Sequence, residues 1–89
     1  MFTVLYRPNG RQAPRLGLAI GKKNCRLSSG RNRLKRIVRE SFRHSKPRLA
    51  GLDVVVLNQR AAATAPNDVL YRSLDSHWRQ AAEQSGTEE

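Results

Sequence analysis

At 89 residues with a formal net charge of +10, the chain has room for one domain with a small core. It has no space for both a deep catalytic pocket and a broad basic platform. A single cysteine, Cys25, excludes an internal disulfide and a multi-cysteine zinc site, and no apolar run approaches the length of a membrane span.

The elements follow in order. Phe2 to Tyr6 alternates in a β-prone run, with Phe2, Val4 and Tyr6 on one side and Thr3 and Leu5 on the other. Pro8-Asn9-Gly10 opens a loop that runs to Pro14. Arg15 to Gly21 is predicted as a second strand, with Leu16, Leu18 and Ile20 toward a core. Gly17, Ala19 and Gly21 form a face of small residues that something else approaches closely. The two strands are expected to pair as a long-looped hairpin. Lys22 to Leu27 is a basic connector. Ser28 or Ser29 is the expected N-cap of an arginine-rich helix. That helix should end near His44 to Lys46, because Pro47 pushes its predecessor out of helical geometry. Gly51 turns the chain into Leu52 to Asn58, whose three consecutive valines suit a central buried strand. Arg60 to Ala65 is undetermined. A last helix starts at Pro66-Asn67-Asp68 and buries Leu70, Leu74, His77, Trp78 and Ala81, with Arg72, Asp75 and Arg79 outward. The expected fold is α+β: a small mixed β-sheet with helices packed on one face, order β-β-α-β-α. Residues 1–84 form a single domain and residues 85–89 a frayed tail. Because a strand follows the first methionine almost directly, an upstream element is expected.

The most informative stretch is Arg31 to Arg43, R-N-R-L-K-R-I-V-R-E-S-F-R. Six of its thirteen residues are Arg or Lys, and Glu40 alone opposes them. Leu34, Ile37, Val38 and Phe42 make one helical stripe, while Asn32, Lys35, Arg36, Arg39 and Arg43 fan out opposite. The bland reading is a solvated face, but solvated faces mix signs. Arg31 and Arg33 also fall in the first turn, where the helix dipole is already positive, so an anion is favoured there. Lys22, Lys23 and Arg26 extend the patch, and eleven of the 17 basic residues lie between Lys22 and Arg48. Arg outnumbers Lys 13 to 4, which suits planar contacts to phosphate and bases. Nucleic acid is the implied partner. Phe2 and Tyr6 are candidates to stack on bases, although from sequence alone sheet packing is the stronger reading for each. Trp78 is simplest as core, and His44 and His77 have no metal-ligand spacing. Asp53, Asp68 and Asp75 lack the pairing that metal-assisted phosphodiester chemistry requires. The residues describe a binding platform without chemistry of its own. A small structural RNA-binding protein, such as a ribosomal protein, is the alternative. A DNA-binding regulator is a weaker one, because no second helix and turn precede the basic helix.

Arg31-Asn32-Arg33-Leu34-Lys35-Arg36, with Arg39-Glu40 and Phe42-Arg43, resembles the RNR motif of the bacterial ribonuclease P protein family. Arg15 to Lys23 is similar to the strand and double lysine before that motif, and Leu52 to Val56 to the strand after it. The resemblance runs from about Phe2 to Ala82. It implies a protein subunit of a ribonucleoprotein endonuclease that removes 5′ leaders from precursor tRNA. The RNA subunit would carry the active site and its catalytic Mg2+, with no cofactor on the protein alone. By position, Arg31, Asn32, Arg33, Lys35, Arg36 and Arg39 would contact the RNA subunit, with Lys22 and Lys23 nearby. Phe2, Val4 and Tyr6 would be candidates for the leader cleft. The family fold also implies a left-handed crossover around the motif helix, against the general right-handed rule. Expected partners are the RNA subunit at 1:1 and precursor tRNA, in the cytoplasm, with no membrane. The family's N-terminal helix is missing from this sequence, so a homodimer through exposed sheet surface is a further expectation. Ser28-Ser29-Gly30 stands where the family usually has Ala-Val and a variable residue. Such residues weaken a first helical turn and should move the helix start later.

Overall fold

The computed structural model describes residues 1–86, with side chains described through Gln84. The elements are β1 (Phe2–Pro8), β2 (Arg15–Ala19), α1 (Ser28–Ser45), β3 (Leu52–Asn58) and α2 (Asn67–Gly86). Short 3-10 turns at Lys46–Leu49 and Arg60–Ala63 follow α1 and β3.

The sheet order is β1-β3-β2. β1 runs antiparallel to β3, pairing Val4 with Val56, and β2 runs parallel to it, pairing Leu18 with Val56. The expected β1–β2 hairpin therefore does not form. β3 is the most apolar strand, with Val54 and Val56 at 1% and 0% exposure. Placing it centrally pairs both its backbone edges, whereas a hairpin of its neighbours would leave one edge open. The loop between β1 and β2 crosses the end of β3 and is pinned there. The Asn9 N–H donates to the Gly51 carbonyl at 2.9 Å, and the Gly51 N–H to the Gln12 carbonyl at 3.1 Å. Gly51 makes this turn at φ +82°, a conformation side-chain-bearing residues avoid.

Both helices cover the face formed by Phe2, Val4, Tyr6, Leu16, Leu18, Val54 and Val56. α1 contributes Leu34, Ile37, Val38 and Phe42, and α2 contributes Leu70, Leu74, Trp78 and Ala81. The two apolar stripes are those the helical spacing predicts. Phe42 meets Trp78 edge to face at 5.8 Å. Ser41 and Ser45 are also buried. The Ser41 hydroxyl accepts the Trp78 indole N–H at 2.8 Å, which satisfies the one polar atom of that ring. His77 is half-buried rather than a full member of the stripe. Burial there pushes its pKa down, and so does the charge of the chain's amino terminus.

Two boundaries differ from expectation, the start of α1 and the end of α2. α1 starts at Ser28 with Leu27 at the N-cap, and no side chain caps it. Gly30 does not delay the helix, because it has a packing role. A Cβ there would lie 2.9 Å from the buried Cys25 sulfur. At its other end α1 stops at Ser45, within the expected His44 to Lys46, although Lys46 keeps helical angles (φ −51°, ψ −45°) before Pro47. The chain bends at Ser45, and Pro47 is the second residue of the 3-10 turn that Lys46 begins, where its missing N–H is not needed. α2 extends to Gly86, past the expected start of a frayed tail; residues 87–89 of that tail lie outside the described residues.

Candidate nucleic-acid interface

The stripe that anchors α1 dictates what its far side presents. Asn32, Arg36, Arg39 and Arg43 are exposed, and Lys35 is half-buried. Arg36, Arg39 and Arg43 follow at three- and four-residue spacing and line one shallow groove with Glu40. Like charges at such spacings cost about 0.2–0.5 kcal/mol per pair. Among the described residues, no acid forms an ion pair with them. Among the described residues, the ion pairs are Arg15–Asp53, Arg48–Asp75, Arg72–Asp68 and Arg79–Asp75. None involves a cation of α1, and Glu40 makes none either. The first turn holds no acidic residue, so the positive end of the helix dipole adds to the same field. This face stores repulsion that a polyanion relieves.

Arg31 and Arg33 behave differently from the rest. Both are half-buried. The Arg31 guanidinium donates to the carbonyls of Cys25 (3.0 Å) and Arg26 (2.8 Å), which fastens the connector to the helix. The Arg33 Nε donates to Asn67 Oδ1 at 3.0 Å and its Nη2 to the Ala65 carbonyl, which ties the start of α1 to the start of α2. In this conformation the two arginines of the R-N-R triplet are struts, and the residue between them faces solvent.

The connector is held at its other end by Asn58. Its side-chain oxygen accepts the Gly21 N–H at 2.9 Å, so the side chain continues the sheet one step beyond the last β2 pairing. Asn24 in turn donates to the Asn58 carbonyl at 2.9 Å. Exposed Lys22, Lys23 and Arg26 are therefore mounted on a pinned segment beside α1. Nothing in the local pattern marks Asn58 for this role beyond a polar residue closing an apolar strand. Arg60 was also missed. It stands in the second 3-10 turn and lines one cavity with Lys23 and Arg26; its neighbours are close only in space.

The leader-cleft candidates do not share an open surface. Phe2 is 3% exposed and belongs to the core. Val4 and Tyr6 are half-buried on the helix-covered face, where the Tyr6 hydroxyl bonds Gln84 of α2. The strand alternation was read correctly, but the helices took the side with the larger rings. The opposite face is open. Leu5 and Val55 are 57% and 38% exposed there, and the small Gly17 keeps it flat, with a virtual Cβ 3.4 Å from Val55. At its edge Arg15 grips Asp53 through two contacts of 2.9 and 3.0 Å. With a further bond from Asn9, this holds the Asp53 carboxyl down at about 2.

Among the described residues, no group of three or more His, Cys, Asp or Glu is placed to hold a metal ion. No helix among the described residues is long and apolar enough to cross a membrane.

Comparison with known proteins gives this arrangement a context. Residues 1–82 match the family profile described as Ribonuclease P. The ribonuclease P protein component of Pseudomonas aeruginosa (strain LESB58) is 47% identical over 76 residues, covering 85% of this chain and 56% of that protein. The chain thus spans little more than half the length of that relative. The RNase P protein structure from Staphylococcus aureus superposes with a TM-score of 0.81 at 27% identity, covering 90% of this chain and 73% of the other. The RNase P protein from Thermotoga maritima gives 0.78 at 31% identity, covering 89% and 76%.

Proposed function

The chain belongs to the ribonuclease P protein family, and from that membership we propose that it serves as the protein subunit of a ribonucleoprotein that removes 5′ leaders from precursor tRNA in the bacterial cytoplasm. The observation that carries the reading is the outer face of α1, where exposed Arg36, Arg39 and Arg43 have no acidic partner among the described residues. A folded RNA supplies phosphates at fixed spacing, and a helix locked by its apolar stripe presents guanidinium groups at fixed spacing in return. Lys22, Lys23 and Arg26 continue the same contact from the pinned connector. Arg31 and Arg33 hold that surface in shape.

In this reading the RNA subunit binds at 1:1 and carries out cleavage with its own Mg2+. The chain's part is electrostatic: it neutralises phosphates where RNA subunit and substrate crowd together, so less Mg2+ is needed for assembly. The single-stranded leader is assigned to the open sheet face. There Leu5 and Val55 offer apolar contact, and exposed Arg7 flanks them with charge, while Arg15 is already paired with Asp53. Phe2, the first leader candidate, is left to the core.

The test is processing. The chain is added to the ribonuclease P RNA of the same genome at low Mg2+ with precursor tRNA. Accurate 5′-leader removal that neither component gives alone supports the proposal. RNA binding without any gain in processing favours the alternative, a purely structural RNA-binding protein.

A further inference from the structure

Beside α1, the Lys22–Leu27 connector, the first helical turn and the second 3-10 turn enclose a cavity of about 630 Å3. That lies within the roughly 300–1,000 Å3 of small-ligand clefts. Cys25, Leu27, Gly30 and Ala63 supply apolar lining, and Asn24, Thr64 and the exposed cations Lys23, Arg26 and Arg60 line it as well. Leu27 is 71% exposed, more than Leu5 or Val55. It occupies the N-cap of α1 without capping it, so the fold gains little from an aliphatic side chain there. Among the described residues, no carboxylate lines the cavity. Among the described residues, neither Lys23, Arg26 nor Arg60 forms an ion pair.

We propose that this cavity receives one unstacked nucleotide of the RNA partner, with the base against Leu27 and Ala63 and its phosphate at the cationic rim. The proposal rests on the RNA-binding reading above and adds a base contact to a surface otherwise suited to phosphates. The complementarity selects the occupant. An apolar protein segment would trap three cations without partners, which is costly. A lone phosphate would leave Leu27 in water. An extruded nucleotide brings a flat π-surface and a negative charge together, and arginine guanidinium groups stack on such surfaces as well as pairing with phosphate. The walls are fixed in advance: Arg31 and Asn24 hold the connector, so little ordering is required on binding.

The experiment compares the full chain with its Leu27→Ser, Leu27→Phe, Arg60→Ala and Arg36→Ala variants on the ribonuclease P RNA of the same genome. It reads affinity over a salt series together with base reactivity to dimethyl sulfate. The wild-type chain is expected to protect one unpaired base. Leu27→Ser should lose that protection and bind about 5–10-fold more weakly, the low end of what one stacked base contributes, with the salt slope unchanged. Leu27→Phe should keep it. Arg60→Ala should make the slope shallower by about one. Arg36→Ala should weaken binding with the base still protected. Wild-type affinity and reactivity for Leu27→Ser, while Arg36→Ala still loses affinity, overturns the cavity proposal and leaves the RNA-binding reading standing. Loss of self-association instead of RNA affinity in Leu27→Ser assigns the cavity to protein contact and also overturns it. If the wild-type chain does not bind the RNA at all, the functional reading itself fails.

Discussion

Replacing Arg33 with Ala separates a strut from a phosphate ligand. In the folded chain its guanidinium reaches both Asn67 and the carbonyl of Ala65, and Ala65 is 7% exposed. A hydrogen bond from a charged donor contributes about 1.5–3 kcal/mol when well shielded. Arg33 is half-buried, so water screens part of this. Removal also leaves a largely buried carbonyl without its donor. We expect a loss of about 1–2 kcal/mol, or about 4–16 °C in Tm for a domain of this size. Arg36→Ala, which removes an exposed cation with no acidic partner, should stay within about 0.5 kcal/mol of wild type. Equilibrium unfolding in urea reads both directly, because the single tryptophan, Trp78, is fully buried and reports on the core through its fluorescence. In RNA binding the roles should reverse: Arg36→Ala makes the salt dependence shallower, and Arg33→Ala weakens affinity without changing its slope. Wild-type stability in Arg33→Ala, together with a slope shallower by about one, would show that Arg33 leaves its intramolecular partners and grips phosphate itself.

Gly30→Ala should destabilise the chain although Ala favours helix by about 1 kcal/mol, because the new methyl lies 2.9 Å from the Cys25 sulfur. In a Cys25→Ala background the same change should cost less, and chemical denaturation of the four proteins in that cycle measures the coupling. The Arg15–Asp53 pair predicts an acid limb. Asp53 titrates near 2 in the folded chain, below its usual 3.8. The stability it contributes is therefore complete above about pH 5 and is lost as the pH falls through about 2. Thermal unfolding between pH 5 and 2 should fall less steeply for Asp53→Asn than for wild type; parallel curves would remove Asp53 from that account.

The parts of this fold legible from sequence are those governed by local periodicity. Leu52–Asn58 was readable as a central strand from its consecutive valines, but they suggested burial on both faces, and one face stays open, with Val55 38% exposed. The α1 and α2 stripes were readable because Leu34, Ile37, Val38 and Phe42, like Leu70, Leu74, Trp78 and Ala81, repeat at helical spacing. Sheet order was not, since hairpin pairing is the local choice and β3 displaces it through contacts made after α1. The cationic face of α1 was visible as a charge pattern, but its division of labour was not. Arg31 and Arg33 differ from Arg36 only in having carbonyls within reach, from the connector and from the start of α2. Those acceptors are positioned by tertiary packing. The same holds for Asn58, whose side chain extends the sheet, and for Arg60, which joins Lys23 and Arg26 from a turn that carries no signal of its own. The misplaced leader candidates have a simpler origin: alternation separates the two faces of β1 without saying which one the helices cover.

The central claim is that unpaired cations on one rigid face bind RNA by neutralising phosphates, and the salt dependence of binding to the ribonuclease P RNA tests it most directly. With Lys22, Lys23, Arg26, Arg36, Arg39 and Arg43 engaged, log affinity against log salt should fall with a slope of about −4 to −5, and Arg36→Ala/Arg39→Ala/Arg43→Ala should reduce its magnitude by about two to three. A nearly flat dependence for the wild-type chain, or an unchanged slope in the triple variant, would contradict it.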